Sequence, residues 1–437
     1  MEYRINSARK FRGRWEAGGD KSLTHRAFLF NALAEGEAVI SNTSGGDDCA
    51  RTRIIVEKLG AEVTAEGRHQ WRVRGCAGNF KAVDEVFDCG NSGTTMRLVA
   101  GLLSSQRHSY ELDGDESLRS RPMERIKIPL ELLGAKVELA EGGMPPFKIQ
   151  GGRLKAGEYE SPVASAQVKS AFLLGAIRAQ GDSAFHEPAL SRDHSERILG
   201  SMGIEMTQDL DGWLRLSGPQ LPKAKNFLVP GDISSSAFLL AAGLLIEGSN
   251  VIVKNVGVNP TRTGLLKVVE RMGGKIAVYH PREELGEPVA DLLSQFSALQ
   301  GVELMPDEVP SLIDEIPILA ALACQAESAS EFHGLADLRH KESDRLEGCR
   351  LMLEAFGADA SIMGDTLRVE GRAGLKGCEF DPKGDHRMAM AASVLALIAK
   401  GESRILNTEC VATSFPEFPS IVRRMSVNAL ENVEVTS

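Results

Sequence analysis

The length, composition and charge of the chain narrow the classes of protein it can belong to. Its 437 residues, 43% hydrophobic and 25% charged, are enough for two domains of ordinary size, each with its own core. A formal net charge of −10 argues against broad binding of nucleic acid or anionic membranes. A site for an acidic ligand must therefore gather its cations locally.

The cysteines and apolar segments are typical of a cytoplasmic protein. The seven cysteines are scattered, with no CxxC pair and no histidine spaced for zinc, so we expect reduced thiols and no bound metal. The first residues, MEYRINSARK, contain no apolar signal core. The longest apolar stretch, 388–399, is far shorter than the roughly 20 residues of a membrane helix. We expect no membrane span.

A helix-like segment that ends in glycine and leads into a strand recurs along the chain. Its copies are EKLGAEV, ELLGAKV, GSMGIEM, ERMGGKI and EAFGADA. Glycine suits the residue after a helix because it adopts positive φ without steric cost. The glycines stand about 70 residues apart, which is too long for a solenoid unit and indicates a repeated supersecondary module.

A second type of helix repeats out of phase with the first and is apolar almost all round, which is typical of a fully buried helix. Each of its six copies starts at a residue that caps helices well: Asp20, Asn91, Ser165, Asp232, Asp314 and Asp385. Six copies predict six modules, three per domain. Buried helix N-termini attract phosphate and carboxylate, so several ends together would form an anion site. Taken singly, each copy is better explained as a capped core helix.

Cations and hydroxyls collect at the start of the first copy. Lys21, Ser22 and Arg26 lie along one side of the helix, close enough to hold a single phosphate. The preceding Gly-Gly-Asp resembles a nucleotide-binding loop only superficially, because the GxxxxGK[ST] spacing is absent. The pattern predicts an anion site and no nucleotide hydrolysis.

The second copy has a similar pattern. Gly93, Thr94 and Arg97 stand at the helix start, and Arg119 and Arg121 follow in SLRSRPMER. This is again typical of anion binding, although an isolated RxR is more often a solvated surface pair. These arginines gain meaning only beside the other cations.

Two acidic positions stand out among the cations. RHKESDRLEG brings Glu342 close to Lys341 and Arg345, although alone this run is typical of an exposed, self-paired helix start. Asp314 opens an apolar helix, where the simpler interpretation is an N-cap. Carboxylates within a cationic site are the groups that acid–base chemistry requires.

The motifs together resemble one family. GDKSLTHR, NSGTTMRL, SLRSRPM, SAQVKSA, SRDHSE, NPTRTG, IDEIPIL, RHKESDRL, GDHRMAM and ATSFPEF are similar to successive motifs of the 5-enolpyruvylshikimate-3-phosphate synthases, from about residue 18 to residue 418. Single motifs are weak, but ten in order are very specific. GDK, SAQVK, RDHSE and NPTR resemble the subgroup that has many glyphosate-tolerant members.

The resemblance implies an α/β fold with two similar domains, each of three repeated βαβαββ-type modules with buried helices, and an active site in the interdomain cleft. Residues 1–19 with 230–437 would form the C-terminal-half domain, which includes the first strand. Residues 20–229 would form the shikimate-3-phosphate-binding domain. Closure of the domains around the ligands is implied as well.

The activity that the resemblance implies is transfer of the enolpyruvyl group of phosphoenolpyruvate to the 5-hydroxyl of shikimate 3-phosphate, with release of phosphate. The reaction would be an addition followed by an elimination, through a tetrahedral intermediate. No metal or organic cofactor is implied. The partners would be the two small substrates, without nucleic acid or membrane, and we expect a monomer.

Site residues follow from the same resemblance, position by position. The catalytic groups would be Asp314 as the base towards the hydroxyl, Glu342 as the proton carrier at the methylene carbon, and Lys21 close to both. Shikimate 3-phosphate would be held by Lys21, Ser22, Arg26, Ser165, Ala166, Gln167, Arg192, Asp314 and Lys341. Phosphoenolpyruvate would be held by Lys21, Gly93, Arg121, Gln167, Arg345 and Arg387.

Two residues depart from the family pattern. Gly18 stands where the family usually has proline, and Thr413 stands where many members have lysine. Threonine at this second position also occurs in the tolerant subgroup.

Two alternative functions stay open. The sister enzymes that transfer enolpyruvyl to a UDP-amino sugar share the fold, but SAQVK and RDHSE match the shikimate phosphate site better. The other alternative is an anion-binding protein without catalysis, or a nucleotide-using relative. Asp314 and Glu342 among the cations argue against mere binding.

Overall fold

A computed structural model of the chain describes residues 1–427 and 433–436. The end of the predicted domain 230–437 therefore lies partly outside the described residues. The chain forms two compact units. Unit 1 comprises Met1–Ala17, Gly231–Arg282 and Pro288–Ser437, and unit 2 comprises Gly18–Pro230 and Glu283–Glu287. Each unit has its own apolar core.

The helices, numbered in chain order, are α1 Lys21–Leu33, α2 Asp47–Lys58, α3 Gly93–Leu103, α4 Glu116–Arg119, α5 Glu124–Leu132, α6 Ala166–Ala176, α7 His194–Ser201, α8 Ile233–Leu245, α9 Gly264–Arg271, α10 Ile316–Ala323, α11 Arg345–Ala355, α12 His386–Ala396 and α13 Phe418–Met425.

The strands up to the end of the long unit-2 segment are β1 Glu2–Ile5, β2 Lys10–Glu16, β3 Glu37–Ser41, β4 Glu62–Gly67, β5 Gln70–Arg74, β6 Phe87–Asp88, β7 Ser109–Asp113, β8 Lys136–Leu139, β9 Phe147–Gln150, β10 Glu158–Glu160, β11 Gly181–His186, β12 Thr207–Gln208, β13 Leu214–Gly218 and β14 Phe227–Leu228. The later strands are β15 Asn250–Gly257, β16 Lys275–Glu284, β17 Glu287–Gln295, β18 Glu303–Leu304, β19 Ser330–Phe332, β20 Ala360–Met363, β21 Thr366–Val369, β22 Glu379–Phe380, β23 Ser403–Ile405, β24 Ser426–Val427 and β25 Val433–Thr436.

The three sheets of unit 2 repeat one plan. Their strand orders are β14-β3-β5-β4, β6-β7-β9-β8 and β10-β11-β13-β12. In each sheet the first two strands are parallel, and the remaining pairs are antiparallel. Three copies of one plan confirm the three predicted modules of this unit, because the same helix and strand succession produces each sheet.

Unit 1 repeats the plan with two variations. The sheet β18-β19-β21-β20 copies it directly, and β22-β23-β1-β25 borrows β1 from the start of the chain. The third sheet, β16-β17-β15-β2-β24, has five strands, with β2 parallel to β15. Both early strands thus belong to the unit that contains the late modules.

The predicted buried helices form the centre of each unit. In unit 2, α3 packs on both α1 and α6, and in unit 1, α8, α10 and α12 pack on one another. Nearly every residue of α8 and α12 is buried. Such helices have no polar face, so they are stable only where other elements cover them on all sides.

The glycines predicted to end helices have the backbone conformation that the prediction requires. Gly60, Gly134, Gly203, Gly273 and Gly357 have φ of 105°, 102°, 92°, 78° and 84°. A side chain is strained at these angles, whereas glycine is not. The chain therefore turns from helix to strand at the same point in five modules.

The tip of the hairpin formed by β16 and β17 was not anticipated. Residues Glu283–Glu287 belong to unit 2, although the residues before and after them belong to unit 1. The chain thus passes between the units around 282 and 287, as well as around 17 and 230.

All seven cysteines are free thiols, and among them Cys49, Cys89, Cys324 and Cys349 are buried. None of the helices in the described part of the chain is both long and apolar enough to cross a membrane.

Candidate active site

Side-chain caps anchor the buried helices of unit 2. Asp20 accepts from the N–H of Leu23 at 2.8 Å and caps α1, and Ser165 accepts from Val168 and caps α6. The second copy of the buried helix, α3, starts one residue later than predicted, because its N-cap is Ser92 and not Asn91. The Asn91 side chain instead accepts a hydrogen bond from Arg121 at 2.7 Å.

Arg26 is a deeply buried cation at this end of unit 2, at 2% exposed. Its Nε donates to Ser195 Oγ at 2.8 Å and its Nη2 to Ser170 Oγ at 2.7 Å. Burial lowers the pKa of Arg26 to about 10, with Glu196 the strongest opposing influence. The guanidinium therefore stays charged at neutral pH and connects α1 to α6 and α7.

Lys21 lies one turn before Arg26 and has a carboxylate beside it. Its Nζ is 2.5 Å from Asp48 Oδ2, and the two side chains are 16% and 9% exposed. The sequence pattern did not indicate Asp48, because the residue is in α2, another helix. This ion pair fixes the direction of the Lys21 side chain.

Two hydrogen bonds of Gln167 join α6 to α3. Arg97 Nη1 donates to Gln167 Oε1 at 2.5 Å, and Gln167 Nε2 donates to Thr94 Oγ1 at 2.9 Å. Gly93 lies at the start of α3, where an added Cβ would be 2.9 Å from Arg97 Nη1 and 3.4 Å from Arg121 Nη1. The open side of Gly93 thus faces two guanidinium groups.

The two arginines of SLRSRPM have different surroundings. Arg119 is 55% exposed and pairs with Asp113, as an ordinary surface residue would. Arg121 is 7% exposed, and its Nη2 donates to Asn91 and to Ser117 Oγ. The surface-pair interpretation is therefore right for Arg119 and wrong for Arg121.

A chain of hydroxyl groups connects α1 to the cap of α3. His25 Nδ1 is 2.7 Å from Thr52 Oγ1, which is 2.7 Å from Thr95 Oγ1, which in turn donates to Ser92 Oγ. Burial, with Lys21 and Arg26 nearby, lowers the pKa of His25 well below its usual value. His25 is therefore a neutral structural link at pH 7.

The remaining predicted residues of unit 2 lie at the same helix starts. Ser22 is in the first turn of α1, Ala166 and Gln167 open α6, and Arg192 lies half-buried just before α7. Through Arg26, Ser170 and Ser195, the structure connects α1, α6 and α7 in one hydrogen-bonded network.

Arg345 is the centre of the predicted site residues in unit 1. Its side chain is 1% exposed and contacts three carboxylates: Asp385 at 2.7 Å, Glu342 at 2.5 Å and Asp314 at 3.3 Å. Burial opposes the charge, but these carboxylates outweigh it and hold the pKa of Arg345 above its ordinary value. One buried cation thus fixes both acids that were predicted to transfer protons.

Asp314 is not the N-cap of α10, which was the simpler interpretation. It lies in the 3-10 turn Ile313–Glu315, and Glu315 occupies the cap position without a side-chain cap bond. Arg387 Nε is 3.7 Å from Asp314 Oδ1, and its Nη1 donates to the Asp314 carbonyl at 3.4 Å. The carboxylate therefore faces two arginines.

The RHKESDRL segment is only partly the helix start that its charges suggested. The helix α11 begins at Arg345 with Asp344 as its cap, so Lys341 and Glu342 precede it. The exposed, self-paired interpretation describes Asp344, which pairs with Arg339, but not the buried Arg345.

Two polar contacts in unit 1 were not anticipated. Arg262, in the NPTRTG motif, is 2% exposed and donates to Ser234 Oγ at 2.7 Å, and Ser234 donates in turn to Glu315. Thr413, which departs from the family pattern, donates to the Cys410 carbonyl at 2.7 Å and is 3.4 Å from His386 Nδ1. The motif itself was the only sequence signal for Arg262.

Known proteins are similar to this chain over nearly its whole length. The family model described as EPSP synthase (3-phosphoshikimate 1-carboxyvinyltransferase) matches residues 5–422. The chain belongs to the EPSP synthase family. It is 43% identical over 428 residues to the 3-phosphoshikimate 1-carboxyvinyltransferase of Syntrophomonas wolfei subsp. wolfei, with 97% of this chain and 99% of the relative covered. The corresponding protein of Brevibacillus brevis is 40% identical over 425 residues, with the same coverage.

Solved structures give the same result. The EPSP synthase of Acinetobacter baumannii is 36% identical, with a TM-score of 0.87 and complete coverage of both chains. The enolpyruvyl transferase NikO of Streptomyces tendae has a TM-score of 0.79 and covers 97% of each chain, but at 16% identity it shares only the fold. The predicted fold class of the chain is confirmed, and so is its predicted enzyme class, 3-phosphoshikimate 1-carboxyvinyltransferase.

Proposed function

We propose that the charged groups of both units carry out one reaction. This reaction is the transfer of the enolpyruvyl group of phosphoenolpyruvate to the 5-hydroxyl of shikimate 3-phosphate, with release of phosphate, in the biosynthesis of aromatic amino acids. The observation that carries this assignment is Arg345, which contacts the carboxylates of both Asp314 and Glu342 from a buried position. An anion-binding protein without catalysis would have no use for two such acids.

For shikimate 3-phosphate we propose the residues of unit 2 at the starts of α1 and α6, together with Arg192. Arg26, Ser170 and Ser195 form a buried network there, and Lys21 lies one turn away. A phosphate gains strong, charge-assisted hydrogen bonds from such groups and a further gain from the helix N-termini. We propose that residues 20–229 are the shikimate-3-phosphate-binding domain and that 1–19 with 230–437 are the other domain. Asp314 and Lys341 would complete this set.

For phosphoenolpyruvate we propose Lys21, Gly93, Arg121, Gln167, Arg345 and Arg387. At the start of α3, Gln167 donates to Thr94, and Gly93 faces Arg121. In unit 1, Arg345 and Arg387 both contact Asp314. Phosphoenolpyruvate carries a carboxylate and a phosphate, so it requires several cations from different directions.

We propose the following chemical steps for these residues. Asp314 accepts the proton of the 5-hydroxyl as its oxygen attacks C2 of phosphoenolpyruvate, while Glu342 donates a proton to the methylene carbon. The product of this addition is a tetrahedral ketal. In the elimination, a methyl proton returns to Glu342 and the C–O bond to phosphate breaks, so phosphate leaves with the proton taken by Asp314. Lys21 and the arginines stabilise the charge that develops.

Three finer assignments are also proposals. We propose a monomer, and a cytoplasmic location, which is supported by seven free thiols typical of a reducing compartment. We also propose that the chain belongs near the glyphosate-tolerant subgroup but is itself partly inhibited by glyphosate. Glycine at position 93 supports this, because it leaves space where a methyl group would crowd a longer inhibitor.

Release of inorganic phosphate from the purified chain tests the proposal. The protein is given phosphoenolpyruvate alone, with shikimate 3-phosphate, or with a UDP-amino sugar. We expect phosphate release only with shikimate 3-phosphate. Release with the UDP-amino sugar would assign the chain to the sister activity, and release with neither acceptor would contradict catalysis.

A further inference from the structure

A buried ion cluster in unit 2 has no role in the steps above. Lys169, in the second turn of α6, is 3% exposed, and its Nζ is 2.8 Å from both Glu187 Oε1 and Glu196 Oε1. The same Nζ donates to the Ser191 carbonyl at 3.4 Å. Burying ionisable groups carries a desolvation cost, which their mutual attraction offsets only where the geometry is good.

The partners of Lys169 all belong to one short segment, residues 187–196. Glu187 begins the segment, and its Oε1 also accepts from the N–H and the hydroxyl of Ser191, both at 2.9 Å. Glu196 lies in the first turn of α7. The segment is therefore fastened at its start, its middle and its end to one ammonium group.

This segment contains Arg192 of the proposed phosphate site, and it contains Ser195, which contacts Arg26 of the same site. Arg192 follows Ser191, whose carbonyl contacts Lys169. Ser195 precedes Glu196, and its hydroxyl accepts from Arg26 and lies 2.6 Å from Ser170 Oγ. Each of these residues is thus directly adjacent in sequence to a contact of Lys169.

The charges support the same relation. Burial opposes the charge of Lys169, but Glu196 and Glu187 outweigh it and raise its pKa. Glu196 is also the strongest influence that favours the charged form of Arg26. The cluster therefore contributes to the electrostatics of Arg26 as well as to the shape of the segment.

We propose that Lys169 is a positioning residue, which holds segment 187–196 so that Arg192 is placed to receive the phosphate of shikimate 3-phosphate and Ser195 is placed to orient Arg26 towards it. It acts through its neighbours and not by touching the substrate. This inference rests on the proposed assignment of Arg192 and Arg26 to that phosphate. It predicts that loss of the ammonium group affects one substrate selectively.

The test is steady-state kinetics of Lys169→Met with each substrate varied in turn. We expect KM for shikimate 3-phosphate to rise about tenfold or more, because segment 187–196 loses the charge-assisted contacts that hold Arg192 in place for the phosphate. We expect kcat and KM for phosphoenolpyruvate to change less than about threefold. Lys169→Arg keeps the charge, so it should recover much of the affinity for shikimate 3-phosphate.

Two controls separate this effect from others. Lys127→Met makes the same change in α5 of the same unit, where the side chain is 31% exposed, and should leave both KM values unchanged. Arg192→Ala tests the underlying assignment. If Arg192→Ala leaves KM for shikimate 3-phosphate unchanged, the assignment of the phosphate site is wrong. If only Lys169→Met leaves it unchanged, the positioning role is wrong.

Folding is followed by thermal unfolding of each variant. If Lys169→Met does not fold, Glu196→Gln replaces it, because that variant keeps Lys169 paired with Glu187. A selective rise in KM for shikimate 3-phosphate in Glu196→Gln would then support the proposal. Equal changes for both substrates, or failure of both variants to fold, would assign the cluster to core stability alone and overturn it.

Discussion

Arg26 and Arg121 in unit 2 are held differently from Arg345 in unit 1. In unit 2, the hydrogen-bond partners of Arg26 and Arg121 are neutral hydroxyl, carbonyl and amide groups. In unit 1, Arg345 is surrounded by three carboxylates. A cation with neutral partners keeps its attraction for an anionic ligand, whereas a cation among carboxylates mainly fixes the acids around it.

This difference suggests a division of labour between the units. Unit 2 would bind the phosphate of shikimate 3-phosphate, and unit 1 would supply the acid–base groups Asp314 and Glu342. Lys21 differs from Arg26 and Arg121 because it pairs with Asp48 at 2.5 Å, and it is also the one residue of unit 2 that we assign to catalysis.

The largest effect is expected for Glu342→Gln in unit 1. The amide keeps the shape of the side chain and can still accept from Arg345, but it cannot transfer a proton. General acid–base catalysis typically contributes ~10²–10⁴-fold, so kcat should fall by about this factor while both substrates still bind. Steady-state kinetics and titration calorimetry measure the two quantities. Glu347→Gln, in the first turn of α11, is the matched control, and near-normal turnover of Glu342→Gln would refute the assignment.

Gly93→Ala tests the space at the start of α3. The methyl group would approach Arg97 and Arg121, and it should hinder glyphosate more than the smaller phosphoenolpyruvate. Such a change in a pocket is typically worth ~1–3 kcal/mol, or about 10- to 200-fold in the inhibition constant. Inhibition at matched phosphoenolpyruvate concentration measures it, with Gly200→Ala in α7, where an added Cβ has no neighbour within 4 Å, as the control. Equal weakening of inhibitor and substrate would show that Gly93 does not line the inhibitor pocket.

Arg26→Ala tests the anion-binding role of unit 2. The variant loses a charged donor, so affinity for shikimate 3-phosphate should fall by about 1.5–3 kcal/mol, roughly 10- to 150-fold. Affinity for phosphoenolpyruvate should change much less in titration calorimetry. Arg53→Ala, on the surface of the same unit, serves as the comparison. Similar losses for both ligands would contradict the proposed division.

The smallest effect concerns the stability of unit 2 in acid. Because the pKa of buried His25 lies well below its unfolded value, the unfolded state binds the proton more readily, and stability falls as pH decreases below about 6.5. The slope contributed by His25 approaches about 1.4 kcal/mol per pH unit until its folded pKa is reached. Urea unfolding between pH 7.5 and 5.5 measures this slope, which should be smaller in His25→Gln and unchanged in the exposed His280→Gln. An unchanged slope in His25→Gln would show that His25 is not the group responsible.

Much of the fold could be read from local patterns. The repeated glycines predicted where helices turn into strands, and the apolar helices predicted the two sets of buried helices, because both follow from backbone conformation and burial. The wrong prediction that Asn91 caps α3 also came from relying on local residue type. Asparagine and serine both cap helices well, so adjacent Asn91 and Ser92 could not be distinguished by residue type.

The repeated modules, the family and the types of residue available for catalysis were predictable from the sequence, since these depend on local spacing and on motif order. The contacts of these residues were not predictable, because they depend on the tertiary structure. Arg345 contacts Asp385, which is 40 residues away in the chain. Lys21 pairs with Asp48, which lies in another helix. Lys169 pairs with two glutamates that flank Arg192 in the sequence. The burial and ionisation of these groups depend on which helices pack together, and local spacing carries no information about that packing.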